Sequence, residues 1–189
     1  MRLWTVQPLE AVEILERDGV FTCDECLSIN WGDFHDAYVW LVDEMDNRNI
    51  HHPEGLTLPL WAWHTRNWKH KKPDFRTIGL GCPGHRYACI EFEIDEKDVL
   101  LSDYDNWHFV LNRGWFDDSK NEEEWEKLHA WYDSLDWPTR EKMMLESWQK
   151  IFDVEPEKTD WGCKGAYIQA TFWELKKDMV KDIKYFTAR

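Results

Sequence analysis

Fourteen tryptophans stand among 189 residues, in a chain that is otherwise acidic and hydrophilic. Each buried indole brings a large apolar surface and one N–H that needs a partner, so Trp is a demanding choice for filling a core. Trp61 and Trp63 flank a single alanine in PLWAWH. If that segment is extended, its period of two points both rings to the same side. Side by side, two indoles make a flat apolar wall with hydrogen-bond donors at its rim, a surface suited to a planar heterocycle. For any single ring the plainer alternative is an α+β core that uses Trp where others use Phe or Leu.

The bulk properties narrow the classes. A chain of 189 residues is most simply one domain, long enough to bury a core without staples. No apolar run has the length of a membrane span, and MRLWTVQPLE has no basic segment followed by an apolar one. A cytoplasmic protein without a membrane partner is expected. Five cysteines, an odd number, fit a reducing compartment better than a disulfide scaffold. A net charge of −14 argues against stable binding to a nucleic-acid duplex, because no cationic excess exists to release counterions. It does not exclude one nucleotide in a local basic pocket. The stretch His64 to Lys72 (HTRNWKHKK) is such an island, with Arg66, Lys69, Lys71 and Lys72 and no acid.

Periodicity orders the elements. Residues 2–7 alternate as a strand; Pro8 opens a helix with Leu9, Val12 and Leu15 on its apolar stripe, and Gly19 caps it. Asp33 is placed to cap a second helix carrying Phe34, Ala37, Tyr38, Leu41, Val42 and Met45. Residues 50–85 form a long irregular stretch with four prolines and four glycines, extended at 58–64. Residues 86–94 (RYACIEFEI) alternate, with Ala88, Ile90, Phe92 and Ile94 inward and Glu91 and Glu93 on the other face. After an apolar Val99–Leu101, Ser102 or Asp103 caps a short helix with Trp107, Val110 and Leu111. Helices follow at 121–134 and 138–152, then strands at 166–175 and 180–186. The expected fold is α+β in a single domain, a mixed or antiparallel sheet with helices packed around it.

Over essentially its whole length the chain resembles the bacterial domain of unknown function 3841. The segments that carry the likeness are LWTVQPLEAVEILERDGVF, AYVWLVDEM, PLWAWH, IEFEIDEKDVLLSDYDNWHFVLN and YIQATFWELKKDMVKDIKYF. A more distant likeness in pattern runs to DNA-modifying ADP-ribosyltransferases of the DarT kind. LWTVQPLEAVEILERDG is similar to their opening strand, helix and Gly-capped turn. IEFEIDEKDVLLSDYDN is similar to their middle strand and Asp-rich turn, and QATFWELKKDMVKDIKYF to their closing strands. That resemblance implies an ADP-ribosyltransferase-like sheet and NAD as the cofactor. Transfer of ADP-ribose passes through an oxocarbenium-like sugar, which a carboxylate stabilises while bonding a ribose hydroxyl. The glutamate of the pattern falls at or beside Thr171, where this chain has the neutral Gln169 and Thr171 on one face. Glu174 has the opposite parity, and Glu91 or Glu93 on a neighbouring strand is the remaining substitute.

The implied roles put Gln7 and Trp4 at the nicotinamide, Trp61 and Trp63 against a ring, Arg66 at phosphate, and Gln169 with Thr171 at the ribose. Asp103 and Trp107, from the acid-rich DYDNWH segment, are further ligand-binding candidates; capping alone explains Asp103, and His108 beside them is as readily structural. Cys23-x2-Cys26 and Cys82-x2-His85 have the spacing of a structural zinc site, which would pin the 50–85 stretch to the first helical unit. No nucleophile elbow, P-loop, Rossmann fingerprint or HExxH motif is present. Three readings follow: an NAD-using transferase, a non-catalytic module binding a nucleotide or small heterocycle, and an acidic protein that occupies a basic surface of a protein partner.

Overall fold

The computed structural model describes residues 1–24, 32 and 34–189. Along the chain run β1 (Arg2–Pro8), α1 (Leu9–Asp18), β2 (Val20–Thr22), α2 (His35–Asn47), β3 (Leu60–Arg66), β4 (Arg86–Glu93) and β5 (Leu100–Asp103). Then come α3 (Tyr104–Leu111), α4 (Glu122–Ser134), α5 (Trp137–Ser147), β6 (Glu157–Lys158), β7 (Cys163–Lys164), β8 (Tyr167–Phe172), β9 (Glu174–Lys176) and β10 (Val180–Thr187). Six strands form one sheet in the order β10–β4–β1–β3–β8–β5, each neighbouring pair antiparallel. The chain is therefore α+β with an antiparallel sheet.

The two faces of the sheet are covered differently. Leu3, Ala62, Ile90, Phe92, Ala170 and Phe172 pack on one face with Val12 and Leu15 of α1. On the other face, Leu100 and Trp61 of the β3–β8–β5 half meet Leu41 and Met45 of α2, Trp107 of α3, and Trp148. Strand β8 is covered on both sides, so Ile168 to Phe172 are all buried and no alternation marks the strand. Inward alternation on β4 is as expected, with Ala88, Ile90, Phe92 and Ile94 all buried.

Helix starts follow side-chain capping. Asp103, Asn121 and Asp136 each accept a backbone N–H at 2.9 Å, from Asn106, Glu124 and Thr139. Gly19 ends α1 in the left-handed region at φ 78° and donates its N–H to the Leu15 carbonyl. Pro8 closes β1 and precedes α1 instead of occupying its first helical position. The expected cap Asp33 lies outside the described residues; α2 begins at His35.

Three elements differ from the periodicity reading. The strand expected over 166–175 is two strands, with Trp173 between them in the helix-side core, stacked at 3.8 Å on His52. Beyond it β9 leaves the main sheet and pairs with β2. The helix expected over 138–152 ends at Ser147 and tightens into a 3-10 turn, which lets both Trp148 and Ile151 face inward. The extended piece expected at 58–64 runs to Arg66, two residues further into the basic island.

Gly165, at φ 78°, enters β8 against the 154–156 backbone, and its N–H donates to Asp103 at 2.6 Å. A Cβ there would lie 2.9 Å from the Pro156 Cα, a contact only a backbone shift relieves. Gly165→Ala is expected to lose about 2 kcal/mol of stability, read as a lower chemical-denaturation midpoint with the far-ultraviolet spectrum unchanged.

Candidate functional site

One rung crosses the whole sheet: Asp182, Glu91, Trp4, Trp63, Gln169 and Ser102 lie opposite one another, strand to strand, on the same face. At its centre β1 and β3 register only through Trp4 and Trp63. Trp4 is buried, donates its Nε1–H to Glu91 at 3.0 Å, and packs at 5.1 Å on the His70 ring. His70 donates Nδ1–H to the His64 carbonyl at 2.8 Å, so the basic island folds back over the rung. Gln169 donates to Ser102 at 3.3 Å.

Strand period alone would turn Arg66 away from Trp63, because their separation is odd. A bulge prevents this. Trp63 pairs with Gln169, yet Thr65 pairs with Ile168 and Arg66 with Tyr167, so His64 is extra and the side chains that follow change face. Arg66 and Trp63 thereby share a face. The guanidinium carbon lies 4.4 Å from the Trp63 ring centre and 6.0 Å from that of Tyr167. Tyr104, from the start of α3, packs its ring tilted against Trp63 at 5.1 Å.

Among the described residues Arg66 has no carboxylate partner. Arg2, Arg17, Arg48, Arg76, Arg113 and Arg140 each hold an Asp or Glu side chain; the exposed Arg86 and Arg189 hold none, and Arg66 differs from those two in that its Nη1 is buried without a hydrogen-bond partner. Burial pulls its pKa below the usual guanidinium value, opposed by the fields of Tyr167 and Tyr104. Even so, a guanidinium stays protonated. A desolvated positive charge without a counterion is unfavourable, and an anion placed there supplies what the fold leaves out.

The hairpin turn beyond Arg66 is strained. Asn67 and Trp68 sit at φ 50° and 63°, and Arg66 and Lys69 exchange backbone hydrogen bonds of 3.0 and 3.2 Å. Asn adopts the left-handed region easily; Trp does not, and such a residue costs on the order of 1–3 kcal/mol. The Trp68 N–H donates to the Ala166 carbonyl at 3.0 Å, which ties the turn to β8 and holds the ring at the surface.

The other candidates are held in different ways. Trp61 shares the face of Trp63, but its ring meets Trp107 at 5.5 Å and Tyr38 edge-on at 6.0 Å, where the sheet joins the helices. Trp107 is buried in that core. Thr171 is fully buried and donates to the Leu100 carbonyl at 3.3 Å. Gln7 has the parity of Leu3 and Thr5, opposite to Trp4, and donates to Thr5 Oγ1, which donates in turn to the Trp61 carbonyl. Both Asp103 oxygens accept backbone N–H groups, from Asn106 and Gly165, so Asp103 anchors the start of α3 to the entry of β8. His108 Nδ1 lies against the carbonyls of Tyr104 and Asp105, within its own helix.

Of the zinc set, Cys26 lies outside the described residues. Cys23 is half-buried, Cys82 exposed, and no three His, Cys, Asp or Glu side chains gather as a metal ion would need among the described residues. Two shallow clefts of about 160 and 180 Å³ lie away from Arg66, one beside Phe34 and Arg113, the other between α1 and Tyr185. Among the described residues, no helix is long and apolar enough to cross a membrane.

Sequence reasoning missed Tyr104, Tyr167, Trp68 and His70. The last two stand within the basic island; the two tyrosines reach Arg66 only through sheet pairing and carried no local signal.

An antiparallel α+β sheet with an arginine bedded on aromatic rings at its centre thus defines the molecule. The chain belongs to the family of domain of unknown function 3841, whose match covers residues 2–181. No curated protein and no solved structure matches it.

Two outcomes follow from this packing. Trp61→Ala, which removes a half-buried indole packed against the helix-side core, is expected to cost about 2 kcal/mol of stability, and Trp63→Ala less, both measured by denaturant unfolding. His64 is pushed down to about 4 by burial and by the facing His70. Its proton affinity is lower folded than unfolded, so its contribution is full above pH 6.5 and is lost as the pH falls toward about 4. Over that window His64→Gln should show a shallower fall in melting temperature than the wild type.

Proposed function

We propose that this protein is a nucleotide-binding module in which Arg66 takes a phosphate and the aromatic bed around it takes the base or sugar edge. The observation that carries this reading is the Arg66 guanidinium, stacked on Trp63 with a buried Nη1 that has no partner. Arginine suits this task because its planar fork meets phosphate oxygens in pairs while its face stays on an indole. His64, held neutral at neutral pH, adds polarity without charge, and the exposed Trp68 ring borders the mouth.

The likeness of the opening, middle and closing strands to ADP-ribosyltransferases supports NAD, or an ADP-ribose portion of it, as the ligand class, and an ADP-ribosyltransferase-like sheet as the fold. The residues fit binding better than transfer. Gln169 and Thr171 are neutral and buried, so neither supplies a carboxylate to a developing sugar cation. Glu91 is the nearest acid on the rung, and it is engaged by Trp4 and Arg2. An enzyme of this design lacks the charge that speeds the chemical step.

Proton NMR of NAD, ADP-ribose and AMP mixed with the protein tests the reading. Ligand signals are expected to broaden without release of nicotinamide. Arg66→Gln should weaken binding by about tenfold or more, the loss of one charge-assisted hydrogen-bond pair, with partial recovery in Arg66→Lys. Sharp, unchanged signals for all three ligands would reject the proposal, and growing free nicotinamide would turn it into the transferase reading.

A further inference from the structure

The surface around α4 is built unlike the rest of the molecule. None of its 13 residues is buried, although it carries Trp125, Leu128, Trp131 and Tyr132. Among the described residues the exposed tryptophans are Trp68, Trp125, Trp131, Trp137 and Trp161, and all but Trp68 lie on or beside this helix. Contacts join them into one patch. The His129 ring sits 4.4 Å from Trp125 and 5.4 Å from Trp115, and Trp115 stacks on Tyr132 at 4.4 Å. Arg140 bridges Tyr132 to Trp137, and Trp161 donates its Nε1–H to Ser119 at 3.3 Å.

The same region concentrates negative charge. Residues 117–136 hold eight carboxylates against two lysines. Asp117 faces His129 at 2.9 Å and Glu123 faces Lys127 at 2.6 Å, while Glu122 and Glu126 form no ion pair among the described residues. Acids in a first helical turn favour the positive end of the helix dipole, which accounts for Glu122 to Glu124. Neither the dipole nor core packing accounts for large indoles left in water beside them.

Exposed indole faces next to unpaired carboxylates form a surface for cations, since each ring attracts a guanidinium over its face while the acids hold its edges. Asp117, Asp118, Glu123 and Asp133 are met by His129, Lys150, Lys127 and Arg140, and the carboxylates left over would face their own kind in a second copy and repel a nucleic acid. We propose that the α4 surface docks an arginine-rich basic segment of a partner protein. It is a site separate from Arg66, whose occupant is an anion.

Fluorescence anisotropy of labelled nona-arginine titrated with the full chain tests this. Binding is expected at low ionic strength and should weaken as salt rises. Trp125→Ala with Trp131→Ala should reduce affinity by about tenfold without lowering the melting temperature, because both rings are exposed. Glu122→Gln with Glu126→Gln should weaken it similarly. The same charge change at the far edge of the sheet, Glu93→Gln with Asp182→Asn, should leave affinity within about twofold. Equal binding by the tryptophan variant, or an equal loss in the sheet-edge control, would overturn the proposal in favour of diffuse attraction. Sedimentation showing a wild-type dimer that the tryptophan variant disperses would overturn it in favour of a second copy.

Discussion

The sheet depends on one rung. Two three-stranded halves, β10–β4–β1 and β3–β8–β5, meet where Trp4 lies opposite Trp63. Thr5 reinforces this junction through its hydroxyl, which donates to the Trp61 carbonyl at 2.7 Å. Elsewhere strand pairing runs over several residues, but here side chains carry the join. The Trp4 ring packs on His70 and the Trp63 ring on Tyr104 and Arg66, so each large side chain ties the junction to a different neighbour. Two of the fourteen tryptophans thus have a structural place at the centre of the sheet.

The same junction creates the charge that the fold does not satisfy. The His64 bulge turns Arg66 onto the ring of Trp63 and takes its Nη1 out of water, and among the described residues no acid pairs with it. In a chain of net charge −14, an arginine without a carboxylate is not explained by scarcity of partners. Protein interiors pair buried charges because an isolated one is expensive. The strained turn at Trp68 lies directly beyond it, and strain of this kind persists only where surrounding contacts impose it. Strain and unpaired charge within three residues mark one place on the surface.

Charge is thus divided across the molecule. Among the described residues Arg66 has no carboxylate partner, and on α4 Glu122 and Glu126 have no cation partner. The proposed anion site and the proposed cation surface would act independently where they lie more than a Debye length apart, because salt screens the field of one at the other.

What the sequence determined was the set of local choices. Caps at Gly19 and Asp103, the inward alternation of β4 and the apolar stripe of α1 were legible because each depends on neighbours within one or two turns. Trp61 and Trp63 were legible as a pair on one face for the same reason. Their different neighbours were not, because Trp107 and Tyr104 arrive from α3, about forty residues later in the chain. Nor did period two reveal that β8 ends at Phe172, because Trp173 keeps the face of Gln169 and Thr171 and the change lies in the backbone, which goes on to pair with β2. Only the tertiary structure decided that Arg66 faces Trp63 and not the opposite side. One extra residue in β3 reverses every side chain after it, and the pairing with β8 that selects this register is a long-range contact that no local pattern encodes.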